Sequence, residues 1–406
     1  MSKTVKIFPP LINAVKQALN EIFIENRKAD KAINGILKSN PKWGSRDRAF
    51  IAENTYEIVR NWRLINFIAD EDYEKVNYNA IENLTLIGLI LNGYQESNPG
   101  YFEKIDLGLV SLKLKEAEKD FRIKYSIPDW LDKSLENEIG ERRFAELETM
   151  SHQAEVFLRV NTLKISKNEL LEIFKAKNIE VEEVKEVENA LRLLKRQNVF
   201  GWEEYKKGFF EVQDAGSQLI AEFLDVKPGE RVIDACAGAG GKSLSLAANM
   251  KNSGRLIALD IEEHKLLELK KRAKRNGISN IETRLIEGKT IKRQKESADK
   301  LLLDVPCSGL GVIRRNPDAK WKLKPEFMEE VKLTQQKILQ EYSKMLKIGG
   351  KMVYATCSIL PSENEKQVEK FLAENKDFEL LKDQHIWPSE YGFDGFYMAL
   401  FERKNS

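Results

Sequence analysis

The feature that most constrains this chain is an alternation of short apolar segments with amphipathic stretches, which starts near residue 229. The apolar segments are rich in Val, Ile and Leu and predict strands at residues 231–236, 255–260, 281–287, 300–305 and 351–356. The stretches between them have helical periodicity. Strands that alternate with helices predict a parallel sheet covered by helices on both faces. We therefore expect residues 229–406 to form an α/β domain with a doubly wound sheet.

The preceding part of the chain lacks this alternation. Residues 1–145 are predicted to be all-helical, because apolar side chains recur at helical spacing, as in Leu11, Val15, Ala18, Leu19 and Ile22. Residues 146–228 mix one helical segment, 167–178, with short strand-like segments at 157–164, 179–184, 190–194 and 208–213. We therefore predict three domains, 1–145, 146–228 and 229–406, of which the second is a small α+β linking domain.

Two helix starts are predicted within the last domain. Pro325 suits the first turn of a long helix that runs to residue 345. Ser362 and Glu365 have the spacing of a capping box, which predicts that the last long helix starts there.

Composition excludes few classes of partner. The 66 Lys and Arg residues nearly balance the 64 Asp and Glu residues, and 42% hydrophobic residues suffice for a sizeable core. No apolar run is long enough to span a membrane, and the first ten residues lack the apolar segment of a signal peptide. We therefore expect a cytoplasmic protein that does not associate with membranes.

The cysteines and histidines are too few for a structural metal or disulfide framework. The chain has three of each and no Cys-X-X-Cys pattern. We therefore expect no metal. The three thiols, Cys236, Cys307 and Cys357, are either core residues or reactive groups, and their neighbours must decide between these interpretations.

A glycine-rich turn indicates a cofactor site. The first predicted strand of the α/β domain runs into Ala-Gly-Ala-Gly-Gly-Lys-Ser at 237–243 and then into a helix, an arrangement that lets a ligand approach backbone amides. The phosphate-loop pattern fails, because Cys236 stands where it needs a glycine. The dinucleotide pattern fails as well, because its third glycine would fall on Ser243. Asp260 ends the second strand, where a carboxylate can bind ribose hydroxyls. A cofactor of nucleoside type is therefore predicted.

Two cysteines follow the fourth and fifth predicted strands. Asp304 and Cys307 come just after one strand end, and Cys357 comes just after the other. In a doubly wound sheet these ends face the same ligand crevice. Placement at two successive strand ends favours chemistry over core packing.

Five segments together resemble the Sun/RsmB and Nol1/Nop2 family of RNA cytosine-5 methyltransferases. They are Val-Gln-Asp-Ala-Gly-Ser-Gln at 212–218, Asp-Ala-Cys-Ala-Gly-Ala-Gly-Gly-Lys at 234–242, Asp-Val-Pro-Cys-Ser-Gly at 304–309, Gly-Val-Ile-Arg-Arg-Asn-Pro-Asp-Ala-Lys-Trp at 311–321 and Tyr-Ala-Thr-Cys-Ser at 354–358. The resemblance implies a class I, Rossmann-like methyltransferase fold with S-adenosylmethionine as cofactor. It also implies an N-terminal domain similar to the NusB fold.

The resemblance implies unequal roles for the thiols. The Thr-Cys cysteine, Cys357, corresponds to the nucleophile, and the Pro-Cys cysteine, Cys307, to the residue that assists release. A thiolate is useful here because carbon 5 of cytosine becomes nucleophilic only after an addition at carbon 6, and a base must later remove the carbon-5 proton. DNA cytosine methyltransferases use the Pro-Cys thiol instead, so the presence of both thiols favours RNA.

The resemblance further implies which residues hold the cofactor. They are Cys236, Ala237, Gly238, Ala239, Gly240, Gly241, Lys242, Asp260, Glu287 and Asp304, with Lys242 and Asp304 also near the target base. Two positions depart from the family pattern: Ala239 stands where Pro is usual, and Glu287 stands nearest to the place of a usual Asp.

Substrate and partners are predicted with less detail. The basic and aromatic residues after the Cys307 motif are the predicted RNA contacts, namely Arg314, Arg315, Lys320 and Trp321. The resemblance implies that a NusB-like domain in bacterial relatives points to 16S ribosomal RNA. We also expect a monomeric protein. The alternatives are the same chemistry on transfer RNA or large-subunit RNA, or a non-catalytic RNA-binding assembly factor.

Overall fold

The computed structural model describes residues 7–95 and 98–405, so residues 1–6, part of the segment in which no signal peptide was predicted, lie outside the described residues. The chain divides into two compact units. The helical unit contains the described residues up to His152 together with Ile313–Lys324, and the catalytic unit contains Gln153–Val312 and Pro325 onwards. The three-domain division stays a prediction.

The helical unit is built from amphipathic helices. The apolar residues that predicted the first helix, from Leu11 to Ile22, are all buried in its core. The helices are α1 Pro9–Phe23, α2 Ala29–Ser39, α3 Ser45–Arg60, α4 Trp62–Ile68, α5 Ala80–Leu91, α6 Leu107–Ala117, α7 Phe121–Lys124, α8 Asp129–Ile139 and α9 Arg142–Met150. Among the described residues of the chain, no helix is long and apolar enough to cross a membrane.

A small antiparallel sheet begins the catalytic unit. Its strands lie in the order β2-β3-β1-β4, and every neighbouring pair is antiparallel. The elements of this region are β1 Val156–Val160, α10 Lys167–Ala176, β2 Val181–Glu183, β3 Ala190–Leu193, α11 Glu203–Lys206, β4 Phe210–Val212 and α12 Ala215–Phe223. The predicted mixture of one longer helix and short strands is present, with shorter strands than predicted.

The large sheet follows, in the strand order β10-β11-β9-β8-β5-β6-β7. Its elements are β5 Arg231–Asp234, α13 Gly241–Asn249, β6 Arg255–Asp260, α14 Glu263–Asn276, β7 Ile281–Leu285, β8 Ala298–Asp304, α15 Ala319–Lys322, α16 Pro325–Tyr342, β9 Leu346–Thr356, α17 Glu365–Glu374, β10 Phe378–Ile386, α18 Pro388–Tyr391 and β11 Phe396–Arg403. Strands β5 to β9 are parallel, as predicted, and Pro325 begins α16. This is the predicted α/β fold with a doubly wound sheet.

Both faces of the sheet are buried, which explains the continuous apolar runs in the sequence. Val232 packs into one core cluster and its neighbour Ile233 into the other, and Leu302 and Leu301 divide in the same way. Successive side chains of a strand point to opposite faces, so a strand with two buried faces needs apolar residues throughout. The order reverses at β5, which pairs with β6 on one side and β8 on the other. Ligands bind beyond the carboxyl ends of the strands at such a switch point.

Two features of the sheet region differ from the predictions. The strands β10 and β11 were not predicted, and β11 lies antiparallel to β9, so the sheet is mixed. The predicted capping box is wrong: α17 begins at Glu365 after Asn364, and Pro361–Glu363 form a separate 3-10 turn. Tertiary hydrogen bonds to Glu363 compete with the local cap, as described below.

The segment Ile313–Lys324 belongs to the helical unit, although it follows the Cys307 motif in sequence. The indole Nε1 of Trp321 donates a 2.7 Å hydrogen bond to the carbonyl of Val59, and its ring packs on the helical core. The Asp318 carboxylate accepts a hydrogen bond from the amide of Ala29 at 2.9 Å. The segment therefore supplies both apolar surface and hydrogen bonds to the helices.

We predict that Trp321→Ala lowers the free energy of unfolding of the helical unit by about 2 to 3 kcal/mol, because a partly buried indole and its hydrogen bond are both lost. Trp321→Phe should cost only about 1 kcal/mol, since mainly the hydrogen bond is removed. Hydrogen exchange of the α3 amides measures both values. Unchanged protection in Trp321→Ala would show that the segment is not part of the unit.

Candidate active site

Two thiols meet at the carboxyl ends of β8 and β9. The two strands are parallel and pair Asp304 with Ala355, so the turns that follow them lie at the same edge. The sulfurs of Cys307 and Cys357 are 3.1 Å apart, and the amide of Cys357 donates to the sulfur of Cys307 at 3.3 Å. Both thiols are free and partly buried. The arrangement brings together the two cysteines that the sequence placed at successive strand ends.

The environment of Cys307 favours its protonated form. Its hydrogen bond with Cys357, its burial and the negative charge of Glu363 all raise the pKa of the Cys307 thiol well above its usual value. A thiol that keeps its proton can donate it to a neighbouring thiolate. The pair can therefore hold a single negative charge, shared by a sulfur–sulfur hydrogen bond.

An ion pair lies at the ends of the neighbouring strands. The ammonium group of Lys242, in the first turn of α13, contacts the Asp304 carboxylate at 2.6 Å. Burial lowers the pKa of Lys242, but the charges of Asp304 and Cys357 outweigh it, and the pKa is raised. Lys242 also lies 5.5 Å from the ring centroid of Phe396. The lysine therefore stays cationic beside the thiols.

The glycine turn before α13 leaves open space for a ligand. Gly238 and Gly240 have left-handed backbone angles, with φ of +53° and +89°. A Cβ on Gly240 would lie 2.5 Å from Leu269, whereas a Cβ on Gly238 would meet nothing within 4 Å. The turn is therefore packed against α14 at Gly240 and leaves open space at Gly238. The other residues of the turn are Ala237, Ala239 and Gly241. Burial raises the pKa of the Cys236 thiol, which disfavours its thiolate form.

Asp260 and Glu287 differ in how firmly they are placed. One carboxylate oxygen of Asp260 accepts the amide of Gly238 at 2.7 Å, and the other accepts the amide of Glu262 at 2.8 Å. Each oxygen can accept one more hydrogen bond. Glu287, by contrast, is exposed two residues beyond the end of β7. The Asp260 carboxylate is therefore held in place, as binding of a ligand requires, whereas the Glu287 side chain lies near a strand end but is exposed to solvent.

The glycine turn is supported from the small sheet by a buried charge network that the sequence analysis missed. The Glu211 carboxylate pairs with Arg272 at 2.9 Å and also with Arg275. Arg272 donates to the carbonyl of Ala239 at 2.7 Å, and Arg159 donates to the carbonyl of Gly241 at 2.9 Å. These guanidinium groups fix the backbone carbonyls of the turn, so its amides keep their direction. No local pattern marks this network, because its members come from β1, β4 and α14.

Two acidic residues of the site were also missed as functional groups. Asp234 ends β5 directly before the glycine turn and is fully buried, and Ser243 donates to it at 2.6 Å. Its place at a strand end could have marked it. Glu363 is equally buried and accepts hydrogen bonds from the serines that follow both cysteines. The capping-box interpretation concealed Glu363.

The predicted RNA contacts after the Cys307 motif need correction. Lys320 is only 4% exposed, its amino group donates to the carbonyl of Arg60 at 2.8 Å, and burial strongly lowers its pKa. Arg314 is buried and Trp321 anchors the segment in the helical unit. A buried side chain bonded to backbone cannot contact a phosphate. Arg314, Lys320 and Trp321 therefore have a structural placement, and of the four residues Arg315 and Trp321 keep partial exposure.

Metal ligands are not assembled in residues 7–95 and 98–405: no group of three or more His, Cys, Asp or Glu side chains in these ranges could hold an ion.

Comparisons with known proteins agree with this geometry. Residues 221–402 match the family model described as 16S rRNA methyltransferase RsmB/F, and residues 127–200 match an RsmF/B-like ferredoxin-like domain. The chain is 37% identical over 268 residues to the probable ribosomal RNA small subunit methyltransferase B of Bacillus subtilis, covering 61% of this chain and 59% of that protein. It is 30% identical over 395 residues to ribosomal RNA small subunit methyltransferase B of Vibrio vulnificus, covering 88% and 92%.

A solved structure covers nearly the whole chain. The crystal structure of the protein PH0851 superimposes with a TM-score of 0.81 at 25% identity, covering 99% of this chain and 100% of that one.

We predict a pH-dependent stability contribution from Asp234. Burial raises the pKa of its carboxyl from 3.8 to about 7, so the folded protein holds a proton that the unfolded chain releases. Stability should therefore fall as pH rises from about 4 to about 7. Asp234→Asn should remove this slope, a difference of about 2 kcal/mol between pH 5 and pH 7 in urea titrations of the cofactor-free protein. Parallel pH curves for the two proteins would contradict the assignment.

Proposed function

Since this chain belongs to the RsmB/F family of 16S rRNA methyltransferases, we propose that it methylates carbon 5 of a cytosine in 16S ribosomal RNA through a covalent bond from Cys357. The chain is an S-adenosylmethionine-dependent ribosomal RNA methyltransferase. The observation that carries the finer proposal is the sulfur pair, 3.1 Å apart, beside the Lys242–Asp304 ion pair.

The residues present fit this cofactor. The open face above Gly238 admits a ligand close to the backbone, and Asp260 keeps an acceptor site on each oxygen for the two ribose hydroxyls. The rest of the turn, Cys236 to Lys242, would line the cofactor, Asp304 would border it, and Glu287 would lie on the adenine side. When bound, the cofactor supplies an electrophilic methyl group on a sulfonium.

The covalent step uses Cys357. Its thiolate adds to carbon 6 of cytosine, which breaks the double bond between carbons 5 and 6 and moves the electron pair towards carbon 5. Lys242 stabilises negative charge on Cys357 before the addition, because it remains cationic beside that sulfur. Asp304, held by Lys242, is placed to accept a hydrogen bond from the exocyclic amino group of the base.

The release step uses Cys307. After methylation, carbon 5 carries both a methyl group and a hydrogen, and that proton must leave before the ring can regain its double bond. The electrons of the carbon–hydrogen bond then re-form the double bond and expel Cys357 as a thiolate. Cys307, once its own proton has passed to solvent, accepts this carbon-5 proton, because its sulfur lies beside Cys357 and its raised pKa makes the thiolate form strongly basic.

We predict that Cys357→Ala lowers methyl transfer to 16S RNA by about a thousandfold or more, because the proposed nucleophile for carbon 6 is lost. Binding of S-adenosylmethionine, measured by calorimetry, should change little. Bisulfite sequencing of ribosomal RNA from a deletion strain, complemented with either the wild-type or the Cys357→Ala gene, identifies the cytosine. Retained methylation by the variant would refute the mechanism, and a missing methylcytosine in transfer or large-subunit RNA would redirect the substrate.

We predict that Cys307→Ala accumulates protein covalently bound to RNA, because addition proceeds while release slows. The adduct appears as a retarded band on a denaturing gel. The matched control is the double variant Cys307→Ala/Cys357→Ala, which should form no adduct. If the single variant formed none either, Cys307 would have no part in release.

A further inference from the structure

We propose that Glu363 is a positioning residue that ties the turn after Cys307 to the turn after Cys357 and so sets the two thiols side by side. Its use in catalysis rests on the proposed function, whereas its effect on the thiols can be measured without RNA. Glu363 lies in the 3-10 turn after β9, and its side chain is completely buried.

The carboxylate bridges two segments that are 50 residues apart in sequence. One carboxylate oxygen of Glu363 accepts hydrogen bonds from two hydroxyl groups, that of Ser308 at 2.6 Å and that of Ser358 at 2.7 Å. The other accepts the amide of Ser308 at 2.8 Å and the side-chain amide of Gln335 at 3.1 Å. Ser308 directly follows Cys307, and Ser358 directly follows Cys357. A single carboxylate therefore holds the residue next to each thiol.

The bridge is rigid because its members are anchored on both sides. The hydroxyl of Ser358 also accepts the amide of Leu360 at 3.2 Å, and the hydroxyl of Tyr354 donates to the backbone carbonyl of Glu363 at 2.6 Å. Gln335 donates to the carbonyl of Pro306 at 3.0 Å as well. The buried carboxylate is satisfied by four donors, and removal of these donors would leave an expensive buried charge.

The charge of Glu363 also acts on the thiols. Among the described residues, no Lys, Arg or His forms an ion pair with Glu363. An uncompensated negative charge in a buried site has a strong field at short range. The hydrogen bond with Cys357 and burial raise the pKa of the Cys307 thiol, and the charge of Glu363 raises it further. Glu363 therefore holds the turn that carries Cys307 and also favours the protonated form of its thiol.

Two substitutions separate these effects. In Glu363→Gln the new amide oxygen can accept hydrogen bonds from the Ser308 backbone amide and the Gln335 side-chain amide. The new amide nitrogen can donate hydrogen bonds to both serine hydroxyls. The bridge therefore survives while the charge is lost. In Glu363→Asp the charge survives, but the shorter side chain cannot reach both serines. Glu369→Gln, which removes an exposed carboxylate on α17, is the matched control for net charge.

The first measurement is the pH dependence of alkylation of Cys307 by iodoacetamide, followed by mass spectrometry of its peptide in a Cys357→Ala background. We expect Glu363→Gln to lower the midpoint by about one pH unit, and Glu363→Asp and Glu369→Gln to leave it unchanged. An unchanged midpoint in Glu363→Gln overturns the electrostatic part. Loss of S-adenosylmethionine binding in Glu363→Gln would show that Glu363 only maintains the fold, and this too overturns the proposal.

The second measurement is methyl transfer in the Cys357-containing protein. We expect Glu363→Asp to lower kcat by about 10- to 100-fold with an unchanged KM for S-adenosylmethionine, because small displacements of reacting groups have effects of this size. A wild-type kcat in Glu363→Asp overturns the positioning part. Failure of the wild-type protein to methylate RNA, with the alkylation midpoint still shifted by Glu363→Gln, would refute the proposed function and leave the effect on Cys307 standing.

Discussion

The site depends on the parallel pairing of β8 with β9. This pairing sets Asp304 opposite Ala355, so the turns after both strands start at the same edge and bring the two cysteines together. The neighbouring strand β5 then places the glycine turn and Lys242 on the other side of β8. A cofactor site and a thiol pair are thus adjacent because three consecutive strands of the sheet end side by side at its switch point.

Several charged side chains of the site are wholly or partly buried. Lys242 and Asp304 neutralise each other, Glu211 is neutralised by arginines, and Glu363 is held by neutral donors alone. Interactions between charges strengthen where water is excluded, so each of these groups has a larger effect on its neighbours than it would at the surface. Burial itself raises the pKa of Asp234, and the charge of Glu363 adds to the hydrogen bond with Cys357 and the burial that raise the pKa of Cys307.

The helical unit has a core that the first 152 residues do not complete. Trp321 and Asp318, more than 250 residues later in the chain, supply an indole and a carboxylate that bond to α3 and α2. The same residues follow the Cys307 turn by a short stretch of chain. Removal of the first 152 residues would therefore expose this segment and leave the buried amino group of Lys320 without its carbonyl partners.

The sequence by itself determined the fold class, the five parallel strands and the position of both thiols at strand ends, because periodicity and strand-end motifs are local properties. It could not determine that Glu363 bridges both thiol turns, that Arg159 and Arg272 support the glycine turn, or that Lys320 is buried and Trp321 packs on the helical core. Most of these contacts join residues far apart in sequence, from 33 positions for Arg272 with Ala239 to 262 positions for Trp321 with Val59. Local patterns indicated RNA contacts for Lys320 and Trp321 and a capping box around Glu363, and only the tertiary structure decided which groups these side chains meet.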